Sequence, residues 1–118
     1  MVENTGQTAT AVLKAMRGSP RKANLVLAMI RGMHVKHAID ALRHCEKRSS
    51  NEILKTLMSA VANAENNFGL DIDKLYVNEA TVGKAFVMKR FRARARGRAG
   101  KILKPFSRIR VELVEREL

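Results

Sequence analysis

The sequence predicts an α+β domain: three helices packed on a small antiparallel sheet, with a long protruding β-hairpin. Apolar residues recur at helical spacing through the first half of the chain, then alternate with polar residues near its C-terminus. Between Lys84 and Arg110 the chain carries eleven Lys or Arg and no Asp or Glu. Because 118 residues suffice for one hydrophobic core, residues 1–118 are expected to form a single domain.

The first helix is predicted to begin at Ser19 and Pro20. Ser is a favoured N-cap, and Pro is tolerated at the first helical position. Gly32 is expected just beyond the end of this helix. Arg21 and Lys22 occupy its first turn, where the helix dipole disfavours cations but free N–H groups favour phosphate. The two cations are therefore either solvated or part of an anion site, and their spacing does not decide between these.

Two further helices are predicted, one over residues 35–45 and one from Ser49 to about Phe68. Ser49 is expected to cap the longer helix in a capping box with Glu52, and Gly69 to follow its end. The inward residues of the shorter helix are expected to be Ala38, Ile39 and Leu42. The apolar stripe of the longer helix comprises Ile53, Leu57, Ala60, Val61, Ala64 and Phe68.

Three strands are predicted around these helices: residues 7–14, a strand starting at Leu75, and a C-terminal strand over 108–113. In the second strand, Leu75, Val77 and Glu79 alternate with Tyr76, Asn78 and Ala80, so the two sets are expected on opposite faces. In the last strand the residues expected to face the core are Ile109, Val111 and Leu113, since they alternate with Arg108, Arg110 and Glu112.

Residues 84–105 are predicted to form the protruding hairpin. From Arg90 to Arg98 an arginine stands at every second position. In a strand this period places all these arginines on one face, whereas in a helix they would scatter around the axis. Gly97 and Gly100 permit the turn that the hairpin needs. A patterned strand follows the segment, which favours a hairpin over a disordered basic tail.

The charge distribution indicates the kind of partner. The net charge is +12, and removing the eleven cations of residues 84–110 leaves twelve Lys or Arg against eleven acids. The rest of the chain is therefore nearly neutral. A segment so cationic repels itself until a polyanion neutralises it, and nucleic acid is the expected polyanion. A membrane surface is disfavoured as a partner, because the face opposite the arginines is mostly Ala and Gly and would bury little apolar area.

Several functional classes are disfavoured by the sequence. It lacks a nucleophile elbow, a Walker loop and an HExxH motif, so no enzyme activity, small-molecule substrate or cofactor is expected. Three histidines and one cysteine lie between His34 and Cys45, but their spacing forms no closed four-ligand set, and no metal site is expected. Asp71 and Asp73 are typical of a turn. The N-terminus does not resemble a secretory signal, so a cytoplasmic protein is expected.

Four ordered stretches resemble the bacterial form of the large-subunit ribosomal protein twenty-two family. They are SPRKANLVLAMIRG (19–32), LMSAVANAENN (57–67), LYVNEA (75–80) and MKRFRARARGRA (88–99), and the resemblance covers about residues 11–115. It implies a surface body and a hairpin that contacts large-subunit RNA and lines the nascent-peptide exit tunnel. There the hairpin would face an extended loop of the fourth large-subunit protein, near the macrolide site. The resemblance further implies an early role in assembly and no chemistry.

The resemblance also implies which residues bind RNA. On the first helix they are Ser19, Arg21 and Lys22. On the hairpin they are Lys89, Arg90, Arg92, Arg94, Arg96, Gly97 and Arg98, and the predicted set is completed from the same cationic segment by Lys101, Lys104 and Arg108. Asn63 and Asn67 match family asparagines, but they are equally expected to pack or cap.

The chain departs from the family pattern around the hairpin. Lys84-Ala85-Phe86 replaces a frequent Gly-Pro, Ala93 stands where many relatives have Pro, and Phe106-Ser107-Arg108 replaces Thr-Ser-His. These departures bear on the bend of the hairpin rather than on its existence. A stand-alone RNA chaperone or nucleic-acid-compacting protein would share the same electrostatics and is the alternative function.

Overall fold

A computed structural model describes residues 3–93 and 99–117, with side chains described for residues 8–84 and 105–116. The strands are β1 (Glu3–Arg17), β2 (Leu75–Ala93) and β3 (Ala99–Glu117). The helices are α1 (Pro20–Ile30), α2 (Val35–Arg43) and α3 (Ser50–Phe68), and a short 3₁₀ helix (Ile72–Lys74) leads into β2. The predicted α+β architecture, with three helices on a small antiparallel sheet, is confirmed.

The sheet has the order β1-β3-β2, and both pairings are antiparallel. The central strand β3 places Ile109 opposite Leu13 of β1 and opposite Val82 of β2. The predicted strand at residues 7–14 is therefore present as β1, and it extends beyond the prediction at both ends. Its central partner explains the extra length, because pairing with a long neighbour satisfies the backbone groups of residues with weak strand patterns.

The hydrophobic core lies between the helices and one face of this sheet. Ile109, Val111 and Leu113 of β3 are each fully buried, as the alternation predicts. They belong to one cluster with residues from all three helices, among them Leu27, Ile30, Leu42, Ile53 and Leu57. We call the three helices together with the three-stranded part of the sheet the body of the protein. Burial of these side chains is the main favourable contribution to folding of the body.

The alternation in β2 breaks at Asn78. Leu75 and Val77 are buried, but Glu79 is exposed and Ala80 is 1% exposed in its place. The register with β3 shifts between Val77 and Glu79, which leaves Asn78 as the extra residue of a β-bulge. The expected alternation therefore does not continue to Glu79, because one inserted residue moves every later side chain to the other face.

The start and the end of α3 differ from the predictions. Ser49 has helical dihedrals (φ −72°, ψ −14°) and makes no side-chain cap, so the capping box with Glu52 is wrong. Instead the hydroxyl of Ser50 donates to the Lys47 carbonyl at 2.7 Å, because residues 47–50 already form a turn. Phe68 is 49% exposed and does not join the buried stripe. Gly69 ends the helix as predicted, with φ 63°.

The middle helix α2 is slightly shorter than predicted, since it ends at Arg43 instead of residue 45. Ala38 and Leu42 are buried as expected. Ile39 is only partly buried and packs against the edge of the core cluster. Val35, at the start of the helix, is also fully buried.

Candidate nucleic-acid interface

The start of α1 is built as its sequence predicts. Ser19 has extended dihedrals, and its hydroxyl accepts a hydrogen bond from the Lys22 backbone N–H at 3.4 Å. Pro20 occupies the first helical position, and the first turn holds no acidic residue. The side chains of Arg21 and Lys22 are both exposed. The positive end of the helix dipole is thus accompanied by two further positive charges, an arrangement that favours an anion.

Gly18 ties this helix start to strand β3. Its N–H donates to the Pro105 carbonyl at 3.0 Å, and its carbonyl accepts from the Ser107 hydroxyl at 2.8 Å. Ser107 is fully buried, so this hydroxyl has no access to solvent as an alternative partner. The cations at the start of α1 are therefore held at a defined place relative to β3.

Gly18 has φ 140°, a conformation that residues with a Cβ rarely adopt. We expect Gly18→Ala to lower the free energy of unfolding by about 1–3 kcal/mol, because the strained backbone must be kept or the two bonds to β3 lost. Gly83→Ala is the matched control, since Gly83 is exposed and an added Cβ there meets no atom within 4 Å. Urea unfolding of both variants measures the effect, and equal losses would contradict this role for Gly18.

Beyond the body, β2 and β3 continue as a two-stranded ribbon. The pairing of β1 with β3 reaches only Arg17 opposite Phe106. Pairing of β2 with β3 goes on from Val87 opposite Pro105 to Ala93 opposite Ala99. We call residues 87–93 and 99–105 the cationic ribbon. Among the described residues, no third strand pairs with β3 here. Each strand of the ribbon therefore has a hydrogen-bonding partner strand on one side only.

The cationic ribbon contains five of the predicted RNA-binding positions: Lys89, Arg90, Arg92, Lys101 and Lys104. Positions 90 and 92 lie opposite 102 and 100, and position 88 lies opposite 104. Directly opposite positions share a face, so positions 90, 92 and 104 belong to one face and positions 89 and 101 to the other.

The remaining hairpin predictions, Arg94, Arg96, Gly97 and Arg98, lie outside the described residues. The described strands end at Ala93 and resume at Ala99.

Carboxylates of the body neutralise some of its cations. Arg110 Nη1 lies 2.9 Å from Glu79 and 3.0 Å from Glu112. Lys36 Nζ lies 2.5 Å from Asp73, and this hydrogen bond together with the charge attraction raises the pKa of Lys36 and lowers the pKa of Asp73. Such cations already have anionic partners. Arg108, the last predicted RNA-binding residue, is exposed on β3, opposite Gly83.

The two asparagines of α3 have partners within the fold. Asn63 Nδ2 donates to the Thr10 carbonyl of β1 at 2.9 Å, and Asn67 Nδ2 donates to Asn63 Oδ1 at 3.0 Å. Asn63 is partly buried, and its bond joins the long helix to the edge strand of the sheet. The sequence left open whether Asn63 packs or caps, and its bond to β1 corresponds to packing.

A groove beside the start of α1 brings the predicted Lys22 together with three cations that the sequence did not indicate, Arg17, Lys47 and Arg48. It has a volume of about 640 Å³ and lies between the end of β1, the first turns of α1 and the segment before α3. Its lining includes Arg17, Lys22, Lys47 and Arg48. We call it the Lys22 groove. The Lys47-Arg48 pair is visible in the sequence, but only the tertiary structure brings it beside Ser19.

The histidines have structural contacts. His34 caps α2, its Nδ1 accepting from the Lys36 N–H at 3.1 Å, and its Nε2 lies 2.7 Å from the Asp73 carbonyl oxygen. The residues described by the structure contain no group of three His, Cys, Asp or Glu side chains that could hold a metal ion. Over the same part of the chain, no helix has the length and apolar character that crossing a membrane requires.

The family model and the similar proteins all indicate the same family. Residues 11–114 match the model of the family described as "Ribosomal protein L22p/L17e". A protein of Maricaulis maris named "Large ribosomal subunit protein uL22" is 60% identical over 109 residues, covering 92% of this chain and 86% of the relative. A Rickettsia bellii protein of the same name is 52% identical over 117 residues, covering 99% and 98%. A Rhodospirillum rubrum relative is 54% identical over 108 residues, with coverage of 92% and 86%.

Proposed function

Because the chain belongs to the ribosomal protein L22p/L17e family, we propose that it is a structural constituent of the large ribosomal subunit in the bacterial cytoplasm. The family consists of structural ribosomal proteins rather than enzymes. Association with the large subunit brings the chain into contact with its ribosomal RNA. The finer assignments that follow concern how this chain binds that RNA and what its ribbon does.

The cationic ribbon is the principal RNA-binding element. The observation that supports this role is the concentration of eleven cations without a single acid between Lys84 and Arg110, on a chain whose remainder is nearly neutral. The two strands pair with each other beyond the last pair of β1, and eight of these cations lie between Lys89 and Lys104, the part of the chain that this extension of the sheet spans. Arginine suits the role, because its planar guanidinium binds phosphate through two N–H groups and stacks on bases.

The body supplies a second set of contacts through Ser19, Arg21 and Lys22. The hydrogen bonds of Gly18 to Pro105 and Ser107 tie this set to the base of the ribbon. Two contact regions held in fixed relation bind a folded RNA more tightly than either alone, because the second contact forms without a further loss of translational freedom. This arrangement fits a protein that joins RNA segments during subunit assembly.

We place the tip of the ribbon at the wall of the nascent-peptide exit tunnel, facing the extended loop of the fourth large-subunit protein. The length of the ribbon supports this placement. Seven consecutive residue pairs, from Val87–Pro105 to Ala93–Ala99, extend it by about 20 Å at roughly 3.3 Å per residue. In that position the ribbon contacts both RNA and the nascent polypeptide.

Sedimentation tests the ribosomal assignment against the alternative. A tagged chain expressed in bacteria is expected to travel with large subunits through a sucrose gradient after a moderate salt wash. A stand-alone RNA chaperone or compacting protein would instead leave the subunits and spread over other RNA. Crosslinking of the ribbon to large-subunit RNA then identifies the nucleotides that it contacts.

The binding constant for large-subunit RNA is expected to fall steeply with salt concentration. Each phosphate that a cation neutralises releases condensed counterions, so about six to ten contacts give a log–log slope of about −4 to −9. Filter binding at a series of potassium chloride concentrations measures this slope. A slope shallower than about −2 would show that the cations are not the main contacts.

A further inference from the structure

The Lys22 groove differs from a simple basic patch in having an apolar floor. Met16 and Ala23 lie beneath it and are each 1% exposed, so the accessible apolar surface is mainly that of Leu25 at the rim, which is 55% exposed. Its volume of about 640 Å³ lies within the range of about 300–1,000 Å³ that is usual for ligand pockets. The groove can therefore receive a flat apolar group as well as charged ones.

The rim of the groove is cationic on two sides. Arg17 and Lys22 stand at the β1–α1 junction, and Lys47 and Arg48 stand on the segment before α3. All four are exposed, and among the described residues none of them forms a salt bridge, in contrast to Arg110 and Lys36. Among the described residues of the lining Glu52 is the single carboxylate, so these residues carry a net charge of +3 (four cations minus one acid).

The combination of floor and rim selects among anionic partners. A phosphate or the outside of an RNA duplex offers charge and sugar, and neither would use the apolar floor. An unpaired nucleotide offers an apolar base face with phosphates before and after it. Proteins that recognise RNA by sequence mostly bind such unstacked bases.

We propose that the Lys22 groove binds one unpaired nucleotide of large-subunit RNA, a step that rests on the proposed ribosomal function. The base packs on Leu25, above the buried Met16 and Ala23. The flanking phosphates face Arg17 and Lys22 on one side and Lys47 and Arg48 on the other. The site thus adds contact with a base from the body to the phosphate and stacking contacts proposed for the ribbon.

Photocrosslinking in assembled subunits tests the proposal. Benzoylphenylalanine is placed at position 25, and at Val12 as the control, since Val12 is 40% exposed but is not part of the groove lining. After irradiation of purified large subunits, reverse transcription maps the crosslinked nucleotides. We expect position 25 to give one dominant stop at an unpaired nucleotide, absent from the control. Crosslinks to paired RNA only, to a neighbouring protein, or to nothing would overturn the proposal.

A charge reversal gives an independent measurement. The variant Lys47→Glu/Arg48→Glu is expected to have at least tenfold lower occupancy than wild type when both are co-expressed and subunits are purified. The control Lys14→Glu/Lys55→Glu changes the charge equally at exposed positions outside the groove. Equal losses of occupancy in both variants would show that occupancy depends on total charge and not on the groove. Absence of the unmodified chain from large subunits would instead contradict the proposed function itself.

Discussion

A chain in which Asn-Gly replaces residues 89–103 is expected to keep its folded body and lose most of its affinity for RNA. Met88 and Lys104 are directly opposite in the sheet, so a two-residue turn can join them without changing the register. The replaced segment contains seven Lys or Arg: Lys89, Arg90, Arg92, Arg94, Arg96, Arg98 and Lys101. If each neutralises one phosphate, the salt slope should become shallower by about 5 to 6.

The body should remain folded because its core lies elsewhere. Among the residues whose side chains the structure describes, 8–84 and 105–116, the buried cluster already runs from Ala9 to Leu113 through all three helices and the sheet. Pro105 and Ser107 are retained, so the bonds to Gly18 persist. Circular dichroism should show the helical signal with cooperative thermal unfolding. Loss of cooperativity would mean that the ribbon is part of the core, and an unchanged salt slope would mean that the ribbon does not bind RNA.

A second large effect is expected from moving arginines across the ribbon at constant composition. Exchanging Arg90 with Phe91 and Arg92 with Ala93 transfers both charges to the opposite face. In the register the arginine now at position 91 stands opposite Lys101, and like charges directly opposite destabilise a sheet. Net charge is unchanged, so long-range attraction to RNA survives. Stable incorporation should fall at least tenfold, because losing even one charged hydrogen bond costs about 1.5–3 kcal/mol.

The matched control exchanges Phe91 with Ala93, which share a face, and leaves both arginines in place. Each variant is co-expressed with tagged wild type, and its occupancy is measured in purified large subunits. The variant with exchanged arginines should have reduced occupancy, while the occupancy of the control should stay near that of wild type. Equal occupancy of the two variants would show that the segment binds as a flexible polycation and that the alternation has no structural meaning.

The elements whose signals are local could be predicted from the amino-acid sequence alone. Ser19 and Pro20 predicted the start of α1, and Gly69 the end of α3, because caps and left-handed residues act within one turn. The alternation of Ile109, Val111 and Leu113 predicted the buried face of β3, because a strand has a period of two. Net charge and its concentration predicted a polyanionic partner, since they depend on composition alone.

Features that depend on residues far apart in the chain could not be predicted in this way, because they are set by tertiary packing. The bulge at Asn78 overrode the alternation of β2, because pairing with β3 sets the register there. The helical backbone of Ser49 removed the expected capping box, since the turn at Lys47 engages Ser50 instead. The Lys22 groove joins Arg17 to Lys47 and Arg48, which are about thirty positions later in the sequence. Local patterns specify dihedrals and faces, but only the packing of helices on the sheet determines which distant charges become neighbours.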